Sequence, residues 1–370
     1  MKSLPRDADL TQEQLPIINL PTNKDYVVVG GPGTGKTVMA VYRAGMMRNK
    51  KVLLLVYNRP LMLYLTSLLS QKRFSHCECD TYHNWLSQLY RDRFNSTYPQ
   101  YDTYEPIWDE VKVDLLKLGK IYDHIIIDEA QDFPIDLFDC LKEVSNNITC
   151  FMDPNQAIET GKTSVINAIK NLCTETKYKL TKNFRNTKYI YDAANLFCGV
   201  TNPPACTRGV GQKPVFHWCD NKDDIIKKIC SIIEKNKDRD IGIILNNKFN
   251  KMRNWYNGIT DELDNKNVNV NVQMFITIKS HFNKLDFSKE DVKIVSFGTA
   301  KGLEFDMVLI PKFDRIFTTG DNVADLNRVY VSMTRAFKEL HLFYLTENPK
   351  SGYIDTFSKV SKNRDLFTRN

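Results

Sequence analysis

The sequence predicts an α/β chain of two tandem lobes, each a parallel sheet flanked by helices. Three observations carry that expectation. Short β-branched and aliphatic runs alternate with helix-like stretches, which is the pattern of linked βαβ units. A glycine-rich phosphate loop directly follows the first of those runs. The runs also fall into two sets of similar length, predicting one lobe over residues 1–178 and a second over 179–370.

In the first set, Val27 to Val29, Val52 to Tyr57, Ile125 to Asp128 and Ile148 to Met152 read as buried parallel strands, because they are apolar without alternation. Thr37 to Met47, Leu61 to Ser70 and Phe133 to Val144 carry helical periodicity between them. In the second set, Ile241 to Leu245, Val292 to Phe297, Met307 to Ile310 and Leu340 to Tyr344 are the expected strands. Tyr189 to Phe197, Lys222 to Glu234 and Asn327 to Ala336 are the expected helices. Pro203 to Pro214, rich in Pro and Gly, reads as a surface connection.

Composition sets the class. The 370 residues are 42% hydrophobic and 26% charged, ordinary for a globular chain, and the net charge of +7 favours polyanionic partners without naming one. Met1 to Leu10 has no apolar core, and the longest apolar runs are far too short to span a bilayer, so a cytoplasmic protein with no membrane partner is expected. Nine cysteines without a secretory signal fit a reducing compartment. His76, Cys77 and Cys79 cluster, but no paired CxxC follows, and thiols packed in or beside a strand are expected there.

Gly30 to Thr37 satisfies G-x-x-x-x-G-K-[ST] immediately after a strand. Backbone N–H groups of Gly31, Pro32-flanking Gly33, Thr34 and Gly35 close around phosphate oxygens, at the positive end of the helix that follows. Lys36 is expected to reach the β/γ-phosphates and Thr37 to offer its hydroxyl to Mg²⁺. Downstream, Ile125-Ile-Ile-Asp-Glu-Ala-Gln-Asp132 ends a strand in two carboxylates. Asp128 is placed for the Mg²⁺ shell and Glu129 to orient or deprotonate the attacking water. Together they imply hydrolysis of a nucleoside triphosphate. A guanine-reading N-K-x-D element is missing from the second half, which disfavours a GTPase.

The remaining motifs resemble the UvrD/Rep branch of superfamily 1 helicases, over about Leu10 to Tyr344. The resemblance implies RecA-like P-loop lobes and ATP as substrate. Leu10-Thr11 with Gln14 is similar to the family's adenine-reading glutamine motif, and Asp128-Glu-Ala-Gln-Asp132 to its DExxD box. Asp153-Pro-Asn-Gln156 implies Gln156 as γ-phosphate sensor. Asn183-Phe-Arg-Asn186 implies Phe184 on the base and Arg185 at the γ-phosphate. Ala300-Lys-Gly-Leu-Glu-Phe305 implies Glu304 at the nucleotide sugar, and Thr334-Arg-Ala336 implies Arg335 as a second arginine finger.

The same resemblance implies nucleic-acid contacts at Tyr57, Asn58, Thr81 and His83, with Trp85 read as core. Single-stranded DNA is the implied partner, RNA being not excluded, with 3′→5′ movement. Two departures qualify this. Ala157 to Lys162 lacks the aromatics that grip bases in the family. About 45 residues separate His83 from Asp128 and about 55 separate Leu245 from Ala300, too few for inserted domains. A motor stripped to two lobes is expected to need a partner protein, a nuclease being one candidate. The alternative is an ATPase switch or sensor that binds nucleic acid without moving along it.

Overall fold

The computed structural model describes residues 9–71, 74, 76–102, 105–153, 164–172, 177–198, 203–246, 249–275, 285–287, 289–318, 320–345 and 352–369. It divides into two compact units between Thr181 and Lys182. The α/β class with two parallel sheets flanked by helices is as the sequence predicts.

In the N-terminal unit, strands β1 (Tyr26–Gly30), β2 (Val52–Val56), β3 (Cys77–Thr81), β4 (His124–Ile127), β5 (Ile148–Met152) and β6 (Lys177–Leu180) form one sheet in the order β3-β2-β4-β5-β1-β6. Every pairing is parallel. All residues of β1, β2, β4 and β5 are buried, because helices cover both faces, and that is why these runs are apolar but for His124 and Thr149, which pair with each other. Helices α1 (Leu15–Ile18), α2 (Lys36–Met46), α3 (Arg59–Gln71), α4 (Tyr82–Phe94), α5 (Trp108–Leu118), α6 (Ile135–Val144) and α7 (Val165–Asn171) complete the unit. Trp85 is core, its Nε1–H donating to the Tyr122 hydroxyl at 3.1 Å. Cys77 and Cys79 lie on β3, and among the described residues no cluster of three or more His, Cys, Asp or Glu is placed to hold a metal.

The placement of β5 matters most for chemistry. It lies between β1 and β4, so the loop leaving β1 and the carboxylates leaving β4 flank a single strand at the carboxyl edge of the sheet. Ligands of parallel α/β sheets bind at that edge.

The C-terminal unit holds β7 (Lys182–Asn183), β8 (Ala205–Cys206), β9 (Val215–Trp218), β10 (Ile241–Leu245), β11 (Val272–Met274), β12 (Val292–Ser296), β13 (Phe305–Ile310), β14 (Ala336–Tyr344) and β15 (Thr368–Arg369). Seven of them form a parallel sheet ordered β11-β12-β10-β13-β14-β9-β15, while β7 and β8 pair separately. Helices α8 (Lys188–Asn195), α9 (Lys222–Glu234), α10 (Phe249–Asn265), α11 (Asn322–Met333) and α12 (Thr356–Lys362) pack with them. Among the described residues no helix is long and apolar enough to cross a membrane.

Two expectations are corrected here. The helix expected to run to Ala336 stops at Met333, because the Arg335 carbonyl accepts the Phe305 N–H at 3.0 Å and Ala336 opens β14. The Pro203 to Pro214 connection contains β8, stitched to β7 by the Thr207 N–H donating to the Asn183 carbonyl at 3.0 Å. Strand β9 and the 17-residue α10 were not expected at all.

Candidate nucleotide site and basic cleft

The phosphate loop needs glycine for steric reasons visible at two positions. Gly35 caps α2 with φ +90°, a conformation L side chains rarely adopt, and a Cβ there would meet Gln14 Nε2 at 2.7 Å. A Cβ on Gly30 would meet Thr34 Oγ1 at 2.5 Å. Helix α2 therefore starts at Lys36 with its first N–H groups at the loop.

Lys36 is 5% exposed and donates to the carbonyls of Gly30 at 2.9 Å and Gly31 at 3.1 Å. Its ammonium also lies 3.8 Å from Asp153 Oδ2. Gln14, buried against the loop, donates to the Thr34 carbonyl at 3.2 Å and accepts from the Thr11 N–H at 3.1 Å. Thr37 Oγ1 donates to Asp128 Oδ2 at 2.6 Å across 91 positions of sequence. The second Asp128 oxygen, Oδ1, is buried and has no hydrogen-bond partner among the described residues. Burial first, and then the adjacent Glu129 carboxylate, push the Asp128 carboxyl well above its usual range; the Thr37 hydroxyl and Lys36 ammonium only partly oppose this.

Glu129 follows in a left-handed backbone conformation, φ +53°, and accepts from Gln131 Nε2 at 2.6 Å. The structure thus gathers Gln14, the loop from Gly31 to Gly35, Lys36, Thr37, Asp128 and Glu129 at the ends of β1 and β4. Gln156 lies outside the described residues.

In the C-terminal unit, Arg185 Nε donates to Glu304 Oε1 at 2.6 Å, in a pair 12% and 10% exposed. Burial pushes the Glu304 carboxyl up, but Arg185, with Arg335 further off, more than reverses that and holds it at about 2. Arg335 is buried, donating to the carbonyls of Val331 at 2.9 Å and Leu303 at 3.4 Å. Asn186, which sequence reading passed over, ties the two arginine loops: its Nδ2 donates to the carbonyls of Thr334 and Ala336, flanking Arg335, at 3.0 and 2.6 Å. Phe184 beside it is half-buried.

Of the expected nucleic-acid contacts, Tyr57 is half-buried with its ring edge-on to Phe133, and Asn58 accepts the Leu61 N–H at 2.9 Å as a helix cap. Thr81 precedes α4, and His83 is exposed with its ring 3.8 Å from that of Tyr82.

The C-terminal unit adds a feature without a local motif. A cleft of about 290 Å³ at the ends of β10 and β13 is lined by Lys222, Lys251, Lys312 and Arg315, with the rings of Trp255, Phe317 and Tyr353 among them. Phe317 and Tyr353 stack with centroids 4.9 Å apart, and Lys222 Nζ lies 5.1 Å over the Trp255 ring. Burial first, and then the charges of Arg315 and Lys222, hold Lys312 below the usual lysine range. Asn246 Nδ2, also at this cleft, is buried with no hydrogen-bond partner among the described residues. Cations interleaved with aromatic faces suit a phosphate backbone with unpaired bases.

Residues 23–310 match the family Schlafen group 3, DNA/RNA helicase domain. No curated protein matches the chain. Among solved structures, the chain is similar to the C-terminal domain of a possible DNA helicase from Lactobacillus plantarum WCFS1, at 19% identity and TM-score 0.36, covering 50% of this chain and 98% of that one. It is also similar to the PRRSV helicase, at 12% identity and TM-score 0.42, covering 92% of this chain and 56% of that one.

Proposed function

The chain belongs to the Schlafen group 3 DNA/RNA helicase-domain family, and we propose that it is a nucleic-acid-stimulated ATPase that works as a motor on single strands. The observation that carries this reading is the joining of Thr37 to Asp128 beside Lys36, with Asp128 Oδ1 left buried and unpartnered. Hard oxygen donors at the mouth of a phosphate loop fit Mg²⁺, which takes one or two protein ligands and leaves its other positions to phosphate and water. Thr37 and Asp128 would hold it. When bound, it neutralises charge on the β- and γ-phosphates.

The chain's own groups supply the rest. Lys36 exchanges its loop carbonyls for phosphate oxygens, and Gln14, placed against Thr34, reads the adenine edge. Glu129 accepts a proton from the attacking water. Arg185 and Arg335 offer guanidinium forks to the charge that builds on the γ-phosphate, as the UvrD/Rep resemblance implies. For Arg185 this requires exchanging Glu304 for phosphate. Phe184 stacks on the base.

Single-stranded DNA or RNA is read by its backbone and its rings, through Tyr57, Asn58, Thr81 and His83 and through the basic cleft. Movement is 3′→5′, with a protein partner, such as a nuclease, where strands must be separated. A second reading, a switch that binds without moving, is favoured by the absence of aromatics between Ala157 and Lys162. Displacement of streptavidin from end-biotinylated oligonucleotides separates the two. ATP-dependent release from the 5′ end supports the motor; ATP turnover without release from either end leaves the switch.

A further inference from the structure

One buried side chain beside the hydrolytic carboxylate has no task in the scheme above. Gln131 is 2% exposed and sits on the short turn Ala130–Asp132 that follows β4. Its Nε2 lies 2.6 Å from Glu129 Oε2, and its Oε1 accepts the backbone N–H of Asp153 at 2.9 Å. These contacts fix the amide one way round. A backbone N–H is met only by the carbonyl oxygen, so the NH₂ group must face Glu129.

Glu129 needs such a fixture. Its φ of +53° is uncommon for a residue with a Cβ, and surrounding contacts must hold it there. Asp153 directly follows β5, the strand between β1 and β4, and its Oδ2 lies 3.8 Å from Lys36 Nζ. Gln131 therefore spans from the Glu129 carboxylate to the strand end that faces the phosphate-loop lysine.

We propose that Gln131 is a positioning residue: its NH₂ group aims the Glu129 carboxylate, and its own orientation is set by the Asp153 N–H. The inference rests on the ATPase reading above and deepens it. A shift of the backbone at Asp153 rotates the Gln131 amide and re-aims Glu129, so hydrolysis answers to the position of Asp153.

The test compares kcat at saturating ATP and nucleic acid with the Kd for a fluorescent ATP analogue, in the wild type, Gln131→Ala and Gln131→Glu. Gln131→Glu keeps the side chain's shape and the acceptor for Asp153 but removes the donor to Glu129. Both variants are expected to lose about 10- to 100-fold in kcat while Kd stays within about 2-fold. Wild-type kcat in Gln131→Glu, whose carboxylate cannot donate to Glu129 and repels it, overturns the proposal. An equal loss in nucleotide affinity also overturns it, by assigning Gln131 to binding. If Gln131→Ala fails to fold, Gln131→Glu carries the decision alone. A wild-type chain that never hydrolyses ATP sinks the ATPase reading itself; hydrolysis indifferent to Gln131→Glu sinks only the positioning.

Discussion

The two units differ in how a buried carboxylate is met. Around the phosphate loop of the N-terminal unit, one buried oxygen of Asp128 has no hydrogen-bond partner among the described residues, and Lys36 is held by carbonyls of its own loop. In the C-terminal unit, Arg185 is locked to Glu304, and Arg335 donates to backbone carbonyls around it. Leaving a buried carboxylate oxygen unpaired costs free energy, which the Mg²⁺ proposed for this site would offset. The arginines are already satisfied and must exchange partners to act. The difference teaches what each unit must change to act as proposed: the first has a buried oxygen to satisfy, the second an ion pair to break.

The largest effect should come from the first unit. Lys36→Ala is expected to lower ATP hydrolysis by about 10⁴-fold, read as steady-state phosphate release, because it removes the loop cation proposed to meet the β- and γ-phosphates. Hydrolysis close to wild type would break the comparison at its root.

Next comes the locked side. Arg185→Ala should lower kcat by about 10³-fold. It also strands Glu304, 10% exposed, and should cost the C-terminal unit about 3 kcal/mol in denaturant unfolding. Adding Glu304→Ala is expected to restore much of the stability and none of the hydrolysis. Recovery of both would reduce Arg185 to a structural partner.

A third test uses pH on the N-terminal unit. His124 is buried between the Thr149 hydroxyl at 2.8 Å and the Thr22 carbonyl at 3.3 Å. Burial first, and then the charge of Arg43, push its imidazole down to about 3. The unfolded chain takes up a proton below about pH 6.5, whereas the folded chain does not until about pH 3. This contribution is therefore complete above pH 6.5 and is lost as pH falls toward 3, by roughly 5 kcal/mol in all. His124→Gln should flatten that stretch of the stability curve; an unchanged slope would contradict the assignment.

The smallest effect belongs to the cleft. Phe317→Ala is expected to weaken binding of a single-stranded oligonucleotide by about 10-fold. Lys251→Ala should reduce the slope of log K against log salt by about 1. Unchanged affinity and slope would remove the cleft from the nucleic-acid path.

What the sequence revealed follows the distance between the residues concerned. The placement of the glycine-rich loop and of Asp128-Glu129 was legible because each is a contiguous run ending a buried strand. The same holds for β1, β2, β4 and β5, whose largely apolar runs report helices on both faces. The Gln131 bridge was not legible, because it depends on β5 lying beside β4, which only the sheet order reveals. The cleft draws on residues from Lys222 to Tyr353 with no local spacing to betray it. Helix α10 was missed because Asn residues recur along its exposed face and Gly258 and Thr260 interrupt its middle, although Met252, Trp255, Ile259 and Leu263 repeat at helical intervals on the buried one.

The most direct test of the central claim is ATP hydrolysis by the purified chain alone, with single-stranded DNA and with single-stranded RNA, beside Glu129→Gln. The account predicts hydrolysis that rises with one or both nucleic acids and vanishes in Glu129→Gln. Hydrolysis indifferent to either nucleic acid, or surviving in Glu129→Gln, would contradict it.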